Sequence, residues 1–238
     1  MKVPAASMTS PDFSHIETWV FDLDNTLYPS RCNLFAQVDE RMGAFISEFL
    51  KVDLAEARRI QKLYYVEHGT TLNGLMHKHD IDPDHFLNTV HAIDYSPVAP
   101  HPDLVEAIAS LPGRKFIFTN GSKAHAEAVA ARLGVTDHFE DIFDIVAADL
   151  VPKPAEETYT RFWQKHGIVP QRAAMFEDLS RNLEVPDTLG MTTVLVVPGG
   201  TREVFQEDWE MEGRDAPHVD FVTDDLGAFL GKVLDARG

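Results

Sequence analysis

The chain has a single cysteine, Cys32, so no disulfide can form within it, which fits a reducing compartment. It contains no apolar run approaching the ~20 residues that a membrane-spanning helix requires. Residues 1–14 carry one lysine and no apolar stretch ahead of their Pro and Asp residues, so this segment does not read as a secretory signal. Basic residues are also scarce. Lys and Arg number 21 against 38 Asp and Glu, a formal net charge of −17. Phosphate backbones are bound by clustered Lys and Arg, so nucleic acid is excluded as an expected partner. The chain also lacks internal repeats and low-complexity segments. The expected setting is cytoplasmic, with neither a membrane nor a nucleic acid as partner.

What remains is an ordinary globular composition, 44% hydrophobic and 25% charged, on a 238-residue chain long enough to bury a sizeable core. The acidic residues are spread along the whole chain rather than gathered in a tail, which reads as a solubility feature. A chain this acidic that handled a phosphorylated compound would need a locally positive site. A metal, a lysine and oriented backbone N–H groups are the means available.

Short β-branched or aromatic runs alternate with polar turns and helical periodicity. Residues 18–23 (TWVFDL), 115–119 (KFIFT), 142–147, 173–176, 193–197 and 220–222 read as strands. Helical periodicity over 123–133 and 156–166 ends at Gly134 and Gly167, both placed to act as C-caps. Strands that are apolar throughout and alternate with helices indicate an α/β core, a parallel sheet covered on both faces. Residues 33–50, 54–68, 71–79 and 83–93 instead read as successive helices, with Asp53 and Asp82 as N-caps. Proline-rich segments at Tyr28-Pro29-Ser30 and across 96–102 bound this stretch and suit hinge strands. The division expected is a core of residues 15–29 and 98–238, with an inserted helical cap over 30–97. Residues 199–217 read as a long surface loop in which a short helix at 203–209 would fit.

Four polar motifs stand at predicted strand ends, and in open α/β sheets ligands bind outside the carboxyl ends of the strands. Asp22-Leu23-Asp24-Asn25-Thr26 places two carboxylates two residues apart, able to face one crevice, one as nucleophile and the other as general acid and base. Thr119-Asn120-Gly121 offers a hydroxyl, an amide and a glycine backbone suited to phosphate oxygens. Lys153 lies between two prolines just before a helix. Glu177-Asp178 is an acidic pair, and Mg²⁺ takes carboxylate oxygens such as those of Asp22 and Asp178.

These motifs, in this order, resemble those of the haloacid dehalogenase-like (HAD) superfamily of hydrolases over residues 19–229. The resemblance implies a Rossmann-like parallel sheet with an inserted C1-type cap. A closer likeness, in FDLDNTLYP at 21–29, Tyr64-Tyr65, GTTLNGL at 69–75 and FTNG at 118–121, is to the pyrimidine 5′-nucleotidase branch. It implies a Mg²⁺-dependent phosphomonoesterase acting on small phosphorylated metabolites, nucleoside 5′-monophosphates such as UMP and CMP among them. Asp22 would form an aspartyl-phosphate, and Asp24 would serve leaving group and water. Thr119 and the backbone at Asn120 and Gly121 would hold phosphoryl oxygens, and Lys153 would neutralise charge. Asp22, the Asp24 main-chain carbonyl and Asp178 would hold the metal. Asn182 departs from the pattern, standing where many relatives carry an acid, so it is left out of the metal set and Glu177 is read as an outer partner. The alternatives on the same fold are a phosphatase for another metabolite, such as a phosphosugar, and a 2-haloacid dehalogenase; the second carboxylate, Asp24, argues against the latter.

Other residues have plainer readings. His77, His79, His85 and His91 match no common zinc spacing and read as surface or cap-packing residues. Cys32 has no evident base and reads as a bystander. Phe45, Phe49, Tyr64 and Tyr65 read first as helix core, with Tyr65 and the Thr70-Thr71 pair candidates to face the pocket.

Overall fold

The computed structural model describes residues 12–197 and 213–237. Six strands, β1 (Thr18–Phe21), β2 (Arg114–Phe118), β3 (Asp141–Phe143), β4 (Ala173–Glu177), β5 (Thr192–Val196) and β6 (Phe221–Thr223), form one sheet in the order β3-β2-β1-β4-β5-β6. Every neighbouring pair is parallel. The central strand alternates between two buried layers. Trp19 and Phe21 enter the layer under α5 (Pro102–Ser110), α6 (Lys123–Leu133) and the C-terminal α9 (Leu226–Arg237). Val20, Phe116 and Phe118 enter the layer under α7 (Glu156–His166), against Tyr159 and Phe162. A short α8 (Glu184–Thr188) joins β4 to β5. Apolar burial on both faces explains the unbroken hydrophobic runs: each fully buried large side chain contributes ~1.5–3 kcal/mol. Phe21 and Phe176 stack at 4.6 Å across β1 and β4, which ties the two strands whose ends carry the acidic motifs.

Between β1 and β2, four helices precede α5: α1 (Leu34–Leu50), α2 (Leu54–His68), α3 (Thr71–Lys78) and α4 (Pro83–Val90). They share a separate apolar cluster that includes Ile46, Leu75, Phe86 and Val90, joined from the sheet side by Ile145. The predicted caps are in place: Asp53 accepts from the N–H of Glu56, and Asp82 from those of Asp84 and His85. Gly74 is where α3 meets α2, because a Cβ there would lie 2.3 Å from that of Tyr64. Among the described residues, no helix is long and apolar enough to cross a membrane.

Three sequence expectations are corrected. The strand expected over 142–147 stops at Phe143, because the Asp144 carboxylate accepts from the N–H groups of Lys123 and Ala147 and turns the chain out of the sheet. The proline-rich segment 96–102, expected as a hinge strand, gives way to a helix at its last residue. Pro102 occupies the first turn of α5, where a missing N–H costs nothing, and His101 Nδ1 accepts from Leu104 N–H. The fourth inserted helix ends at Val90 rather than at residue 93. The helix considered at 203–209 lies outside the described residues, as does most of the loop expected over 199–217.

Candidate active site

The sheet ladder runs one residue past its strands and pins the first polar residue at each end. Asp22 N–H donates to Phe176 O at 2.9 Å, and Thr119 N–H donates to Phe143 O at 3.0 Å. Beyond Asp22 the chain turns sharply. Asn25 has φ of 61°, a left-handed conformation that asparagine tolerates better than most residues. The turn brings Thr26 Oγ1 back to donate to Asp22 Oδ2 at 3.1 Å, and Asn25 Nδ2 across to Asp178 Oδ2 at 3.3 Å.

Lys153 reaches into this crevice from the loop before α7 and is 1% exposed. Its ammonium donates to Asp22 Oδ1 at 2.8 Å, Glu177 Oε1 at 2.6 Å and Phe118 O at 2.9 Å, which uses all three donors. Asn120 fixes that loop with two bonds, accepting from Lys153 N–H at 2.8 Å and donating to Lys153 O at 3.2 Å. The amide side chain of Asn120 thus positions the lysine rather than facing a ligand. Thr119 Oγ1 accepts from Gly121 N–H at 2.9 Å, which leaves the hydroxyl proton to point elsewhere. A Cβ on Gly121 would come within 3.2 Å of His125 and 3.3 Å of Thr119 Oγ1, so only glycine fits this cradle without displacing its neighbours.

Asp22, Glu177 and Asp178 are all buried, with carboxylate oxygens within 4.8 Å of one another. Burial drives the Asp22 carboxyl well above the ordinary aspartate range against the pull of Lys153, and the Glu177, Asp178 and Asp24 charges add to the rise. Burial also works against the Lys153 charge, but Asp22 and Glu177 outweigh it and hold the lysine cationic. Three carboxylates around one ammonium leave the cluster short of positive charge, which a divalent cation would supply. Both Glu177 oxygens are already engaged, by Lys153 and Asn182 Nδ2 on one and Leu179 N–H on the other. Asp22, bonded to Lys153 and Thr26, and Asp178, bonded to Asn25, line the same crevice and offer carboxylate oxygens to a cation there. An all-oxygen set of this kind suits a hard cation such as Mg²⁺ better than zinc.

Asp24 stands apart from that cluster. Tyr28 Oη donates to its Oδ1 at 2.5 Å, and His125 Nε2 lies 2.8 Å from the same oxygen. Burial raises the Asp24 carboxyl, yet the charge that His125 can carry and the bonds from His125 and Tyr28 bring it down to about 2. His125 is 1% exposed and is in turn held by groups from beyond α4. Tyr95 Oη lies 3.0 Å from its Nδ1, and the His91 ring stacks on it at 4.5 Å. Burial, with the charge of His125 beside it, lowers His91 to about 4, so this ring packs as a neutral imidazole.

A cavity of about 190 Å³ joins these groups to the inserted helices. Asp22, Asp24, Thr119 and Lys153 line one side; Val38, Met42, Phe86 and Leu87 line the other. Tyr65, Thr70 and Thr71 also reach it, as the sequence led us to expect. The two threonine hydroxyls, however, serve the fold: Thr70 Oγ1 caps α3, and Thr71 Oγ1 donates to Gln61 O at 3.3 Å. Arg181 sits on the wall with its guanidinium 5.5 Å from the Tyr65 ring centre.

The sequence profile of haloacid dehalogenase-like hydrolases matches residues 16–184. The chain belongs to that family. Phosphate metabolism protein 8 of Saccharomyces cerevisiae is 31% identical over 212 residues, covering 82% of this chain and 65% of the yeast protein. Fructose-1-phosphate phosphatase YqaB of Escherichia coli is 33% identical over 124 residues, 48% of this chain and 63% of that protein. The match therefore spans just under two thirds of the length of either relative. A solved HAD phosphatase from Thermococcus onnurineus shares the fold, with a TM-score of 0.59 at 16% identity over 94% of this chain and 98% of its own.

In this haloacid dehalogenase-like hydrolase, Asp22, Asp24, Thr119, Gly121, Glu177 and Asp178 line one crevice beyond the strand ends, and Lys153 joins them not from a strand end but from the loop before α7, ten residues past β3. His125 was missed. The signal for His125 was present: it falls one turn before Val129 on the buried stripe of α6, directly after the Thr119-Asn120-Gly121 turn. His91, read with the other histidines as packing, stands at the end of α4, its Nδ1 3.0 Å from Ser122 Oγ. The remaining three pack as well. His79 meets Tyr64, His85 meets Phe45 and His77 stacks on His68.

Proposed function

We propose that this hydrolase is a Mg²⁺-dependent phosphomonoesterase that works through an aspartyl-phosphate on Asp22 and acts on small metabolites, pyrimidine nucleoside 5′-monophosphates foremost. The observation that carries the reading is Lys153, buried and bonded at 2.8 Å to one of two carboxylates that leave the same strand, while the other is held apart. Asp22 attacks phosphorus, and the Lys153 ammonium offsets the charge that accumulates beside it. Thr119 and the main chain at Asn120 and Gly121 hold the phosphoryl oxygens. Asp24 gives a proton to the departing oxygen and later takes one from the water that releases phosphate. Ordering the two carboxyls by proton affinity alone would make Asp22 the acid. Position decides otherwise: Asp22 is the carboxylate beside the Lys153 ammonium and Asp178, where a bound divalent cation would lower its proton affinity and leave it free to act as nucleophile. Substrate phosphate, itself anionic, raises the proton affinity of Asp24 as it arrives. Mg²⁺, held by Asp22, Asp178 and the Asp24 main-chain carbonyl, would supply charge neutralisation at the phosphoryl group. A carbon–halogen bond needs no acid for its leaving group, so the placement of Asp24 supports phosphate over halide chemistry.

We further propose that residues 30–97 act as a cap on a core of residues 15–29 and 98–238, closing over the leaving group. The separate apolar cluster of the inserted helices supports this division. The cavity is small beside the ~300–1,000 Å³ usual for ligand clefts, which favours a one-ring leaving group. UMP and CMP are accordingly expected to give higher kcat/KM than AMP or GMP. Kinetics on these alongside a phosphosugar check this; a tenfold preference for the phosphosugar would remove the nucleotidase reading and leave the phosphatase one.

The metal has its own test. Mg²⁺ at about 100 times its Kd is expected to stabilise the fold by ~2.7 kcal/mol, read as a rise in Tm that a chelator reverses. Asp178→Ala is expected to abolish that rise and to raise the Mg²⁺ needed for turnover. An unchanged Tm across a Mg²⁺ titration, with full turnover in chelator, would rule out the metal.

A further inference from the structure

We propose that His125 is a positioning residue for Asp24, held in place by Tyr95 and His91, so that the acid has both its anchors only when the segment bearing these two residues is docked on α6. The inference rests on the reading that Asp24 exchanges a proton with the leaving group. Two donors, Tyr28 Oη at 2.5 Å and His125 Nε2 at 2.8 Å, converge on Oδ1 of Asp24. Oδ2 accepts no hydrogen bond from any described residue and lies on the Gly121 side, 3.6 Å from where a Cβ of that glycine would stand. The carboxylate is therefore turned so that one oxygen is anchored and the other faces the phosphoryl cradle. A carboxyl that could rotate freely would present the working oxygen for only part of the time, and misplacement of an acid by about 1 Å can cost ~100-fold in rate.

The anchor does not stand alone. His125 is itself bracketed by Tyr95 Oη at 3.0 Å from Nδ1 and by the His91 ring at 4.5 Å. Tyr95 Oη also donates to His91 O at 2.9 Å, and His91 Nδ1 lies 3.0 Å from Ser122 Oγ, the residue whose hydroxyl caps α6. His91 ends α4 and Tyr95 lies in the connection from the inserted helices back to the sheet. Every contact that steadies His125 on its Nδ1 side thus comes from the chain that carries the inserted helices. Displacing that chain would release the ring and leave Oδ1 held by Tyr28 Oη alone. Such coupling would keep the acid and base out of register with water until a leaving group is enclosed.

The test uses two aryl esters that differ in leaving group, so it does not depend on the natural substrate. With full-length protein and saturating Mg²⁺, kcat/KM is measured on p-nitrophenyl phosphate, whose leaving group hardly needs a proton, and on phenyl phosphate, whose leaving group does. His125→Leu is expected to lower kcat/KM on phenyl phosphate ~100-fold, within the range for loss of general acid help, and on p-nitrophenyl phosphate less than ~10-fold. His125→Gln, which keeps an N–H at similar reach, is expected to recover most of the difference. Tyr95→Phe, which removes one oxygen only, is expected to show the same bias at ~10-fold with an unchanged Tm. If His125→Leu does not fold, the Gln and Tyr95 variants carry the comparison. Equal losses on both esters, or a Tyr95→Phe enzyme indistinguishable from the parent on both, would overturn the positioning role. A parent protein that hydrolyses neither ester would overturn it together with the phosphatase reading, whereas a leaving-group bias in Asp24→Asn without one in His125→Leu would overturn the positioning role alone.

Discussion

Asp22→Asn is expected to lower phosphate-ester hydrolysis by at least ~10⁴-fold, since removing a nucleophile has cost up to ~10⁶ in other hydrolases. An amide nitrogen or oxygen cannot attack phosphorus as a carboxylate does, and no neighbouring group can substitute. Glu177 is the nearest rival, yet both its oxygens are engaged by Lys153, Asn182 and Leu179. The fold should survive. Asn keeps an oxygen to accept from Lys153 and is matched in size to Asp, so the change removes a charge from a cluster crowded with carboxylates. Trapping separates the roles further. Acid-quenched parent enzyme is expected to carry acid-stable phosphate on residue 22 during turnover, and Asp22→Asn none. Asp24→Asn is expected to become phosphorylated by p-nitrophenyl phosphate, yet to release phosphate slowly for want of a base. An Asp22→Asn protein with parental turnover would sink the covalent mechanism.

Much of this site could be read from the chain because its parts are local. Three of the motifs are short polar breaks at the end of an apolar strand, and parallel strands place their carboxyl ends at the same edge of the sheet; the Lys153 motif instead enters from the loop before α7. Asp22, Thr119 and Glu177 come together for that reason alone, and the ladder bonds of Asp22 and Thr119 extend the same logic one residue further. The two buried layers were legible too, because residues on both faces of β1 and β4 are apolar. Helix caps at Asp53, Asp82, Gly134 and Gly167 follow from side-chain and φ preferences that act within a few residues.

What escaped depends on contacts between distant segments. His125 and Asp24 are 101 residues apart and Tyr95 and His125 are 30 apart, and no local pattern sets those pairings. The sequence pattern suits the Asn120 side chain to a phosphate cradle, whereas the structure turns it toward the Lys153 main chain, 33 residues away. Thr71 reaches the cavity wall, but its hydroxyl is committed to Gln61 O inside the helices. The end of β3 departs from its sequence pattern for a related reason: residues 144–147 contain apolar Ile145, Val146 and Ala147, but the Asp144 carboxylate binds the start of α6. In each case a polar side chain had a choice of partners, and only the assembled fold made it.

Lys153→Met is the other change with a large expected effect, and it acts on stability as well as on rate. The ammonium is the counter-charge for Asp22 and Glu177, both within 2.8 Å of it and all three nearly inaccessible to solvent. Removing one member of a buried charge group while leaving the others costs ~3–5 kcal/mol, because the remaining carboxylates keep their desolvation penalty and lose their attraction. Turnover is expected to fall ~10³-fold or more, as nothing then offsets charge at the nucleophile. The loss of stability has a pH signature. Burial already holds Asp22 above the ordinary aspartate range against the pull of Lys153, so without the lysine its folded-state affinity for protons rises further. A carboxyl raised in the folded state contributes most at low pH, where both states are protonated, and loses that contribution as pH climbs past ~4, its unfolded value, toward its folded one. In chelator, therefore, the deficit of Lys153→Met relative to the parent is expected to be larger near pH 8 than near pH 5, which denaturant titration at the two values measures. Adding Glu177→Gln to Lys153→Met removes a charge from each side and is expected to restore part of the stability without restoring activity, a coupling that a double-mutant cycle reads directly. A deficit independent of pH, with no recovery in the double variant, would mean that Lys153 supports the fold through packing, and the charge balance assigned to Asp22 would have to be abandoned.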